Sequence, residues 1–171
     1  MAASKEPFAL TMQTIDTHFP NGYVSNEAPK LYENQYANVI AHSQKQVTEF
    51  VRWMQTQPFY KDTTVVLTGD HLSMDKDYFD NIPADYQRST FNLILNSATP
   101  AKTTQRAYAP FDYFPTILAS MGVTIPNNRL GLGTDLTSAT PTLIERDGFK
   151  KVNLELARKS KFYNQELITP R

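Results

Sequence analysis

The sequence contains no cysteine, no excess of charge of either sign and no long apolar run. Without cysteine, the 171 residues cannot form a disulfide scaffold, a cysteine nucleophile or a thiolate metal site. Lys and Arg number 17 and Asp and Glu number 17, so the chain has no general electrostatic attraction to nucleic acid or to acidic lipid. No segment reaches the ~20 apolar residues that crossing a bilayer requires, and the first residues lack a secretory signal pattern. We therefore expect a soluble chain with no nucleic-acid partner.

The amino-acid composition indicates a packed interior. Aromatic residues make up 12% of the chain and hydrophobic residues 40%, which is typical of a globular protein and not of a disordered one. A chain of this length can bury one sizeable core, so a single domain over residues 1–171 is predicted. Residues 1–6 are expected to be disordered or foreign to that domain, and residues 145–171 to form a C-terminal helical tail.

Hydrophobic periodicity predicts an α/β chain. Apolar residues at helical spacing predict a helix over 32–57, and short β-branched runs predict strands before and after it, at 8–15 and 63–68. Because strand, helix, strand is the order of a βαβ unit, we expect a mostly parallel sheet flanked by helices. The other predicted elements are a strand at 90–95 and helices at 111–121 and 150–161.

Two candidate metal ligands follow the most apolar predicted strand. Gly69-Asp70-His71 comes directly after the run at 63–68, and in open α/β sheets ligands gather outside the carboxyl ends of the strands. A carboxylate beside an imidazole can supply two ligands for Zn²⁺ or Mn²⁺. The alternative is a strand-to-loop turn in which the glycine adopts a positive φ and the aspartate caps the next segment. The tripeptide alone leaves both interpretations open.

His18 is a third candidate residue. It follows the strand predicted at 8–15, so in a parallel sheet His18 and His71 would emerge at the same edge. An imidazole at that edge could hydrogen-bond a phosphoryl oxygen or a metal-bound group. The alternative is a loop histidine held by a backbone carbonyl.

Four segments taken together resemble one enzyme family. They are TIDTHFP, FYKDTTVVLTGDHLSM, FDYFPTILASMGV and LGLGTDL, and the similarity covers most of residues 7–140. The chain resembles the membrane-anchored phosphoglycerol transferases of the alkaline phosphatase and sulfatase superfamily, which include the glucan-type transferases and lipoteichoic acid synthase. LGLGTDL favours the glucan type. The resemblance implies a partial alkaline phosphatase/sulfatase-like fold, of which this chain would be the C-terminal portion of the catalytic domain.

The resemblance also implies a role for each candidate residue. Asp70 and His71 match the aspartate and histidine that ligate a divalent metal, Mn²⁺ or Zn²⁺, and His18 matches a histidine beside the substrate phosphoglycerol group. In the family, a metal-activated threonine attacks phosphatidylglycerol, diacylglycerol leaves, and an acceptor hydroxyl takes the phosphoglycerol group from the threonine. The implied partners of the parent protein are a phosphatidylglycerol-type headgroup and a glycan or glycolipid acceptor.

Two parts of the family's site have no match in this sequence. The nucleophilic threonine and a metal-binding glutamate would precede Met1, and no threonine here has the nucleophile's context. We therefore expect the chain to hold a partial metal site and to be catalytically inactive alone. The parent protein would act at the extracytoplasmic face of the bacterial cell membrane. A partial domain would leave apolar surface uncovered, so self-association is also expected.

Two other interpretations stay open. The same metal edge would serve a sulfatase, a phosphodiesterase or a phosphoethanolamine transferase of the superfamily, and the sequence around the nucleophile would separate these enzymes. A chain without a nucleophile could instead be a non-catalytic module that binds a glycan, a lipid headgroup or a partner chain. The retained His18, Asp70 and His71 favour catalytic ancestry.

Overall fold

The chain divides into two units. A computed structural model describes residues 6–80, 82–102 and 105–168. Proximity of Cα atoms groups the chain into unit 1, Met1–Asn96, and unit 2, Ser97–Arg171.

Three sequence predictions concern the chain as a whole. The single domain over 1–171 and the helical-tail boundary at 145–171 stay predictions. Of residues 1–6, only Glu6 lies within the described residues. None of the helices in the described part of the chain combines the length and apolar character that spanning a bilayer requires.

Unit 1 contains one long helix, α1, Gln35–Gln55. It begins where the Asn34 side chain accepts a hydrogen bond from a backbone N–H of the first turn at 3.1 Å, which satisfies one donor that has no partner within the helix. Its apolar stripe buries Tyr36 and Val39. The helix predicted over 32–57 is confirmed, and it starts later than predicted because Asn34 caps it.

Two short strands of unit 1 form an antiparallel sheet. They are β1, Val65–Thr68, and β2, Asn92–Leu95, and both agree with the predicted runs. Beyond β1, the Gly69 N–H donates to the Phe91 carbonyl oxygen at 2.9 Å. This bond brings the start of the 69–75 loop close to the sheet, so β1 and β2 fix where that loop begins.

The predicted mostly parallel sheet is not present among the described residues, where every strand pairing is antiparallel. A parallel pair needs a long crossover, usually a helix. The described residues between β1 and β2 contain only the four-residue helix α2, Lys76–Phe79, so the chain turns back on itself. The segment 8–15 pairs with no other strand among the residues that the structure describes. Periodicity can indicate a strand-like segment, but it cannot reveal whether a neighbouring backbone is there to pair with it. The mixture of helices and short strands agrees with the α/β class.

Unit 2 consists of short helices and a small hairpin. Its elements are α3 (Tyr113–Ser120), β3 (Arg129–Leu130), β4 (Gly133–Thr134), α4 (Leu143–Asp147), α5 (Phe149–Leu156) and a π-helical turn (Tyr163–Ile168). A 3₁₀ turn at Pro110–Asp112 leads into α3, so the helix predicted over 111–121 is confirmed. The helix predicted over 150–161 is shorter, because α5 ends at Leu156.

An ion pair with a mostly buried arginine side chain joins distant segments of unit 2. The Arg106 side chain, 10% exposed, donates two hydrogen bonds of 2.7 Å to the Glu145 carboxylate. The same guanidinium donates to three backbone carbonyls within 136–140. Glu145 also accepts the backbone N–H of Thr142, the N-cap of α4, at 2.9 Å. Above all, the hydrogen bonds from Arg106 lower the pKa of Glu145 to about 2.

Asp112 is a second buried charge of unit 2 and has no exposed surface. Its carboxylate accepts the backbone N–H groups of Thr134 at 2.7 Å and Ala109 at 2.8 Å. Burial raises the pKa of Asp112, while these two backbone donors act in the opposite direction. The carboxylate therefore ties the start of α3 to β4.

Candidate functional site

His18 lies in an exposed loop that precedes α1. Its Nδ1 is 2.6 Å from the Phe19 carbonyl oxygen, and its ring stacks on the Phe19 ring with the centroids 5.1 Å apart. Because a carbonyl oxygen only accepts, Nδ1 is the donor. Nε2 has no hydrogen-bond partner among the residues that the structure describes. A backbone carbonyl thus holds the ring, as one of the two sequence interpretations has it, and Nε2 stays open to a ligand.

A glycine shapes the His18 loop. The Tyr23 N–H donates to the Asp16 carbonyl oxygen at 2.7 Å and closes the loop. Gly22 has φ +64, and a Cβ there would lie 2.7 Å from that same oxygen and 2.8 Å from Val39 Cγ1 on α1. Only glycine allows both this backbone conformation and this close approach to the helix.

Asp70 and His71 follow β1 in an exposed loop, with side chains that are 78% and 56% exposed. One carboxylate oxygen of Asp70 accepts the His71 backbone N–H at 2.9 Å. The other lies 3.3 Å from His71 Nε2. Two ligand atoms bound to one tetrahedral Zn²⁺ at ~2.0–2.1 Å are separated by about 3.3 Å. The spacing of this oxygen and this nitrogen therefore matches that of two ligands on one ion.

The hydrogen bond at the other ring nitrogen orients His71. Its Nδ1 lies 2.8 Å from the Leu72 carbonyl oxygen and so donates to it. A neutral His71 then presents only a lone pair at Nε2, towards a carboxylate oxygen that also accepts. Two acceptors this close repel each other unless a proton or a cation binds both. Metal-ligating histidines commonly donate their second N–H to a backbone carbonyl, so the donor set fits a divalent ion.

The pair formed by Asp70 and His71 is an incomplete metal site. Catalytic Zn²⁺ ions are held by three protein ligands. Over residues 6–80, 82–102 and 105–168, no group of three or more His, Asp or Glu side chains is arranged to share an ion. The metal-binding role of Asp70 and His71 and the substrate-binding role of His18 therefore stay predictions.

A buried tyrosine joins the two exposed loops of unit 1. The hydroxyl of Tyr36, on the first turn of α1, lies 2.9 Å from the Thr17 carbonyl oxygen and 2.7 Å from Ser73 Oγ. Thr17 is next to His18, and Ser73 is two residues beyond His71. We call this arrangement of Tyr36, Thr17 and Ser73 the Tyr36 clasp. The sequence indicates Tyr36 only as part of the apolar stripe of a helix, and nothing in the pattern shows where its hydroxyl lies.

A second contact joins the same two loops. The Asn21 N–H donates to Asp75 Oδ2 at 2.6 Å, while Asp75 Oδ1 accepts the Tyr78 N–H at 3.1 Å and caps α2. Asp75 is 4% exposed, so this carboxylate is buried between the loops that it joins. The structure therefore joins the loop of His18 to the loop of Asp70 and His71 through these contacts. The parallel sheet from which a shared edge was predicted is not present among the described residues.

An open cavity of about 370 Å³ lies beside these loops and is lined by Phe19, Ser73, Met74, Asp75, Lys76 and Arg88. The Arg88 guanidinium donates to the Ser73 carbonyl oxygen and lies 3.9 Å from the centroid of the Phe79 ring. It places a positive charge next to the loop that follows His71, where it suits an anionic group. The sequence does not single out Arg88, because the stretch around it has no periodicity.

The chain matches known proteins at two levels. Residues 1–123, more than half of the chain, match the sulfatase family, and the chain belongs to that family. Among curated proteins it is similar to phosphoglycerol transferase I of Shigella flexneri, with 28% identity over 139 residues. It is also similar to phosphoglycerol transferase I of Salmonella choleraesuis (strain SC-B67), with 26% identity over 144 residues. The resemblance to the phosphoglycerol transferases is confirmed.

These two alignments cover 78% and 81% of this chain but 18% of each relative. The chain thus spans about a fifth of the length of the curated relatives that it matches. No solved structure matches it.

Proposed function

We propose that the two joined loops of unit 1 form part of a phosphoryl-transfer site of the phosphoglycerol transferase type. Asp70 and His71 supply two ligands to a divalent ion, Mn²⁺ or Zn²⁺, and His18 binds the phosphoryl group of the substrate. The proposal is supported by the family membership, by the similarity to phosphoglycerol transferase I, and by the contacts that join the two loops.

The spacing within the acid–imidazole pair carries the proposal. Asp70 Oδ2 and His71 Nε2 are 3.3 Å apart, and the ring is oriented by its bond to the Leu72 carbonyl. An exposed pair of this kind adds little to the stability of the fold. It does lower the free-energy cost of ordering two ligand side chains around an ion, because both are already in place. When bound, the metal ion supplies positive charge for the phosphoryl oxygens and lowers the pKa of a nucleophilic hydroxyl.

His18 acts through Nε2. Its Nδ1 donates to the Phe19 carbonyl oxygen, so the opposite nitrogen is the one that can meet a substrate. With a proton, Nε2 donates to a phosphoryl oxygen; without one, it accepts the proton of an acceptor hydroxyl. Arg88 lines the cavity beside these loops and donates to the Ser73 carbonyl oxygen, two residues beyond His71. It therefore adds a positive charge next to the proposed site.

In the full reaction that we propose, the phosphoglycerol group of phosphatidylglycerol moves to a glycan or glycolipid hydroxyl at the outer face of a bacterial membrane. Diacylglycerol leaves and takes up a proton in place of the one that the acceptor hydroxyl loses. No threonine of this chain matches the family's nucleophile, so the 171 residues alone are expected to bind without turnover. The shared tetrahedral geometry of sulfate and phosphate also keeps a sulfate ester as an alternative substrate class.

Metal binding by the full 171-residue chain tests the proposal. Calorimetric titration with Mn²⁺ and with Zn²⁺ should show weak binding, and Asp70→Ala and His71→Ala should each abolish it. The unfolding free energy of both variants should stay within ~0.5 kcal/mol of the parent chain, because the side chains are exposed. Asp62→Ala, at an aspartate that is 77% exposed in the same unit, is the matched control and should bind as the parent chain does. Equal binding by all three variants would overturn the ligand assignment.

The ligand class can be tested on the metal-loaded chain. Glycerol 1-phosphate should bind, and His18→Ala should weaken that binding by about tenfold while leaving metal affinity unchanged, since His18 is proposed to touch the phosphoryl group alone. Preference for methyl sulfate over glycerol 1-phosphate would favour the sulfatase alternative.

A further inference from the structure

We infer that Tyr36 is a positioning residue for the candidate site, through the Tyr36 clasp. The inference rests on the proposed function, because it concerns the contacts that hold the proposed metal ligands and His18 in position relative to each other. Tyr36 is 3% exposed and lies on α1, so its ring cannot touch a substrate; its hydroxyl acts through the two loops.

The direction of each hydrogen bond in the clasp follows from chemistry. The Thr17 carbonyl oxygen can only accept, so the single proton of the Tyr36 hydroxyl goes to it at 2.9 Å. The 2.7 Å contact with Ser73 Oγ must then be a donation from Ser73 to the tyrosine oxygen. Ser73 Oγ accepts the Asp75 N–H in turn, at 3.2 Å. A continuous chain of hydrogen bonds therefore runs from the 69–75 loop through Tyr36 to the His18 loop.

The position of the tyrosine ring is set by packing that does not involve its hydroxyl. The ring lies edge-on to that of Tyr78 on α2, with the centroids 5.1 Å apart. A phenylalanine at position 36 would keep this contact and the apolar stripe of α1, and would remove only the oxygen. Because the Thr17 carbonyl and the Ser73 hydroxyl would then lose their common partner, the two loops would be joined mainly by the contact between Asn21 and Asp75.

The clasp predicts a specific pattern of local mobility. In Tyr36→Phe, the amide protons that close or join the loops, those of Asn21, Tyr23 and Asp75, should exchange with solvent about tenfold faster than in the parent chain. Amide protons in the middle of α1 should be unaffected. Tyr60→Phe removes a tyrosine hydroxyl from the same unit, one that meets only the Gln55 side chain at 3.5 Å among the described residues, and should change neither set.

The clasp also predicts a change in metal affinity. Tyr36→Phe should weaken Mn²⁺ binding by about tenfold, the lower end of what second-sphere changes do to a metal site. Ser73→Ala interrupts the same chain from the other loop and should have a similar effect. The double variant should be no weaker than the more affected single variant, because both changes remove one connection.

The outcomes separate this inference from the proposed function. Unchanged exchange at Asn21 and Tyr23 in both Tyr36→Phe and Ser73→Ala would overturn the clasp, whether or not the chain binds metal. Faster exchange together with unchanged Mn²⁺ affinity would overturn the positioning role. If the parent chain bound no Mn²⁺, the metal site of the proposed function would fail, and exchange would still report on the clasp. If Tyr36→Phe did not fold, exchange at Asn21 and Tyr23 in Ser73→Ala would carry the test, since Ser73→Ala removes the acceptor of the Asp75 N–H directly.

Discussion

The two units of the chain use charged side chains in opposite ways. In unit 2, Arg106 is 10% exposed, and its guanidinium bonds to Glu145 and to backbone carbonyls. In unit 1, Asp70 and His71 are mostly exposed and, within the described part of the chain, form hydrogen bonds and an ion pair only with each other and with the neighbouring backbone. Removing the partner of a buried charge is costly, and a buried charge whose hydrogen bonds are all made has no donor or acceptor left for a ligand. An exposed, incompletely paired acid and imidazole contribute little to stability and remain available for binding.

The same contrast separates the carboxylates that bond to backbone N–H groups. In unit 2, Asp112 ties α3 to β4. In unit 1, Asp75 ties the His18 loop to the helix that follows the proposed metal loop. Both are buried, yet the first supports a core and the second supports two exposed loops. Burial of a carboxylate therefore does not by itself identify a site; the segments that it holds in place do.

Removal of Arg106 is the severest test of this contrast. Arg106→Ala should lower the free energy of unfolding by about 3 kcal/mol, because the Glu145 carboxylate and three backbone carbonyls lose the guanidinium as a donor. Urea unfolding followed by circular dichroism measures the loss. Arg146→Ala is the control, since Arg146 pairs with Asp147 at 2.7 Å but is 54% exposed, and it should change stability little. Equal losses of unfolding free energy in the two variants would contradict the distinction between the mostly buried Arg106 and an exposed surface pair.

Acid should weaken unit 2 through Glu145. Its pKa falls from 4.5 to about 2 on folding, so the folded state binds this proton less tightly than the unfolded chain does. Because the Glu145 side chain is partly exposed, solvent screening reduces the resulting stability to about 2 kcal/mol. This stability is present above pH ~4.5 and is lost as the pH falls towards 2. The difference in unfolding free energy between the parent chain and Glu145→Gln should therefore shrink over that range. Glu155→Gln, at a half-exposed glutamate paired with Arg158, should show much less change; a comparable change there would remove the special role of Glu145.

Two glycines with nearly the same backbone angle sharpen the comparison further. Gly22 in unit 1 has φ +64 and is crowded by the Asp16 carbonyl and Val39, whereas Gly131 in unit 2 has φ +59 and nothing within 4 Å of an added Cβ. Gly22→Ala should cost about 2 kcal/mol, from the backbone angle and overpacking together. Gly131→Ala should cost about 1 kcal/mol, from the angle alone. Equal costs in urea unfolding would mean that contact with α1 does not constrain the His18 loop.

Local signals account for the parts of the fold that were predicted. The Asn34 cap and the apolar stripe are encoded within a few turns of chain, so α1 was found nearly at its true bounds. The run before Gly69 is β-branched and apolar, so β1 was found too. Asp70 and His71 were singled out because their residue types and their place after a strand are visible in the sequence.

Neither the direction of strand pairing nor the contacts that join the two loops could be predicted from the sequence. Whether β1 has a parallel or an antiparallel neighbour depends on residues more than twenty positions away. The segment 8–15 looks like a strand, yet it lacks a partner among the described residues. The local sequence places Tyr36 on the apolar stripe of a helix and so indicates a core residue. Only its distances to Thr17 and Ser73 reveal the clasp.

The sequence by itself determined which side chains can do chemistry here, where the long helix and the two strands lie, and to which family the chain is similar. These properties depend on residue type and on spacing over a few residues. The tertiary structure alone decided that the sheets are antiparallel, that Arg106 and Glu145 form an ion pair, and that Tyr36 and Asp75 join the loop of His18 to that of Asp70 and His71. The reason is physical: a hydrogen bond between residues far apart in sequence forms only where packing brings donor and acceptor within about 3 Å, and packing is a property of the whole fold.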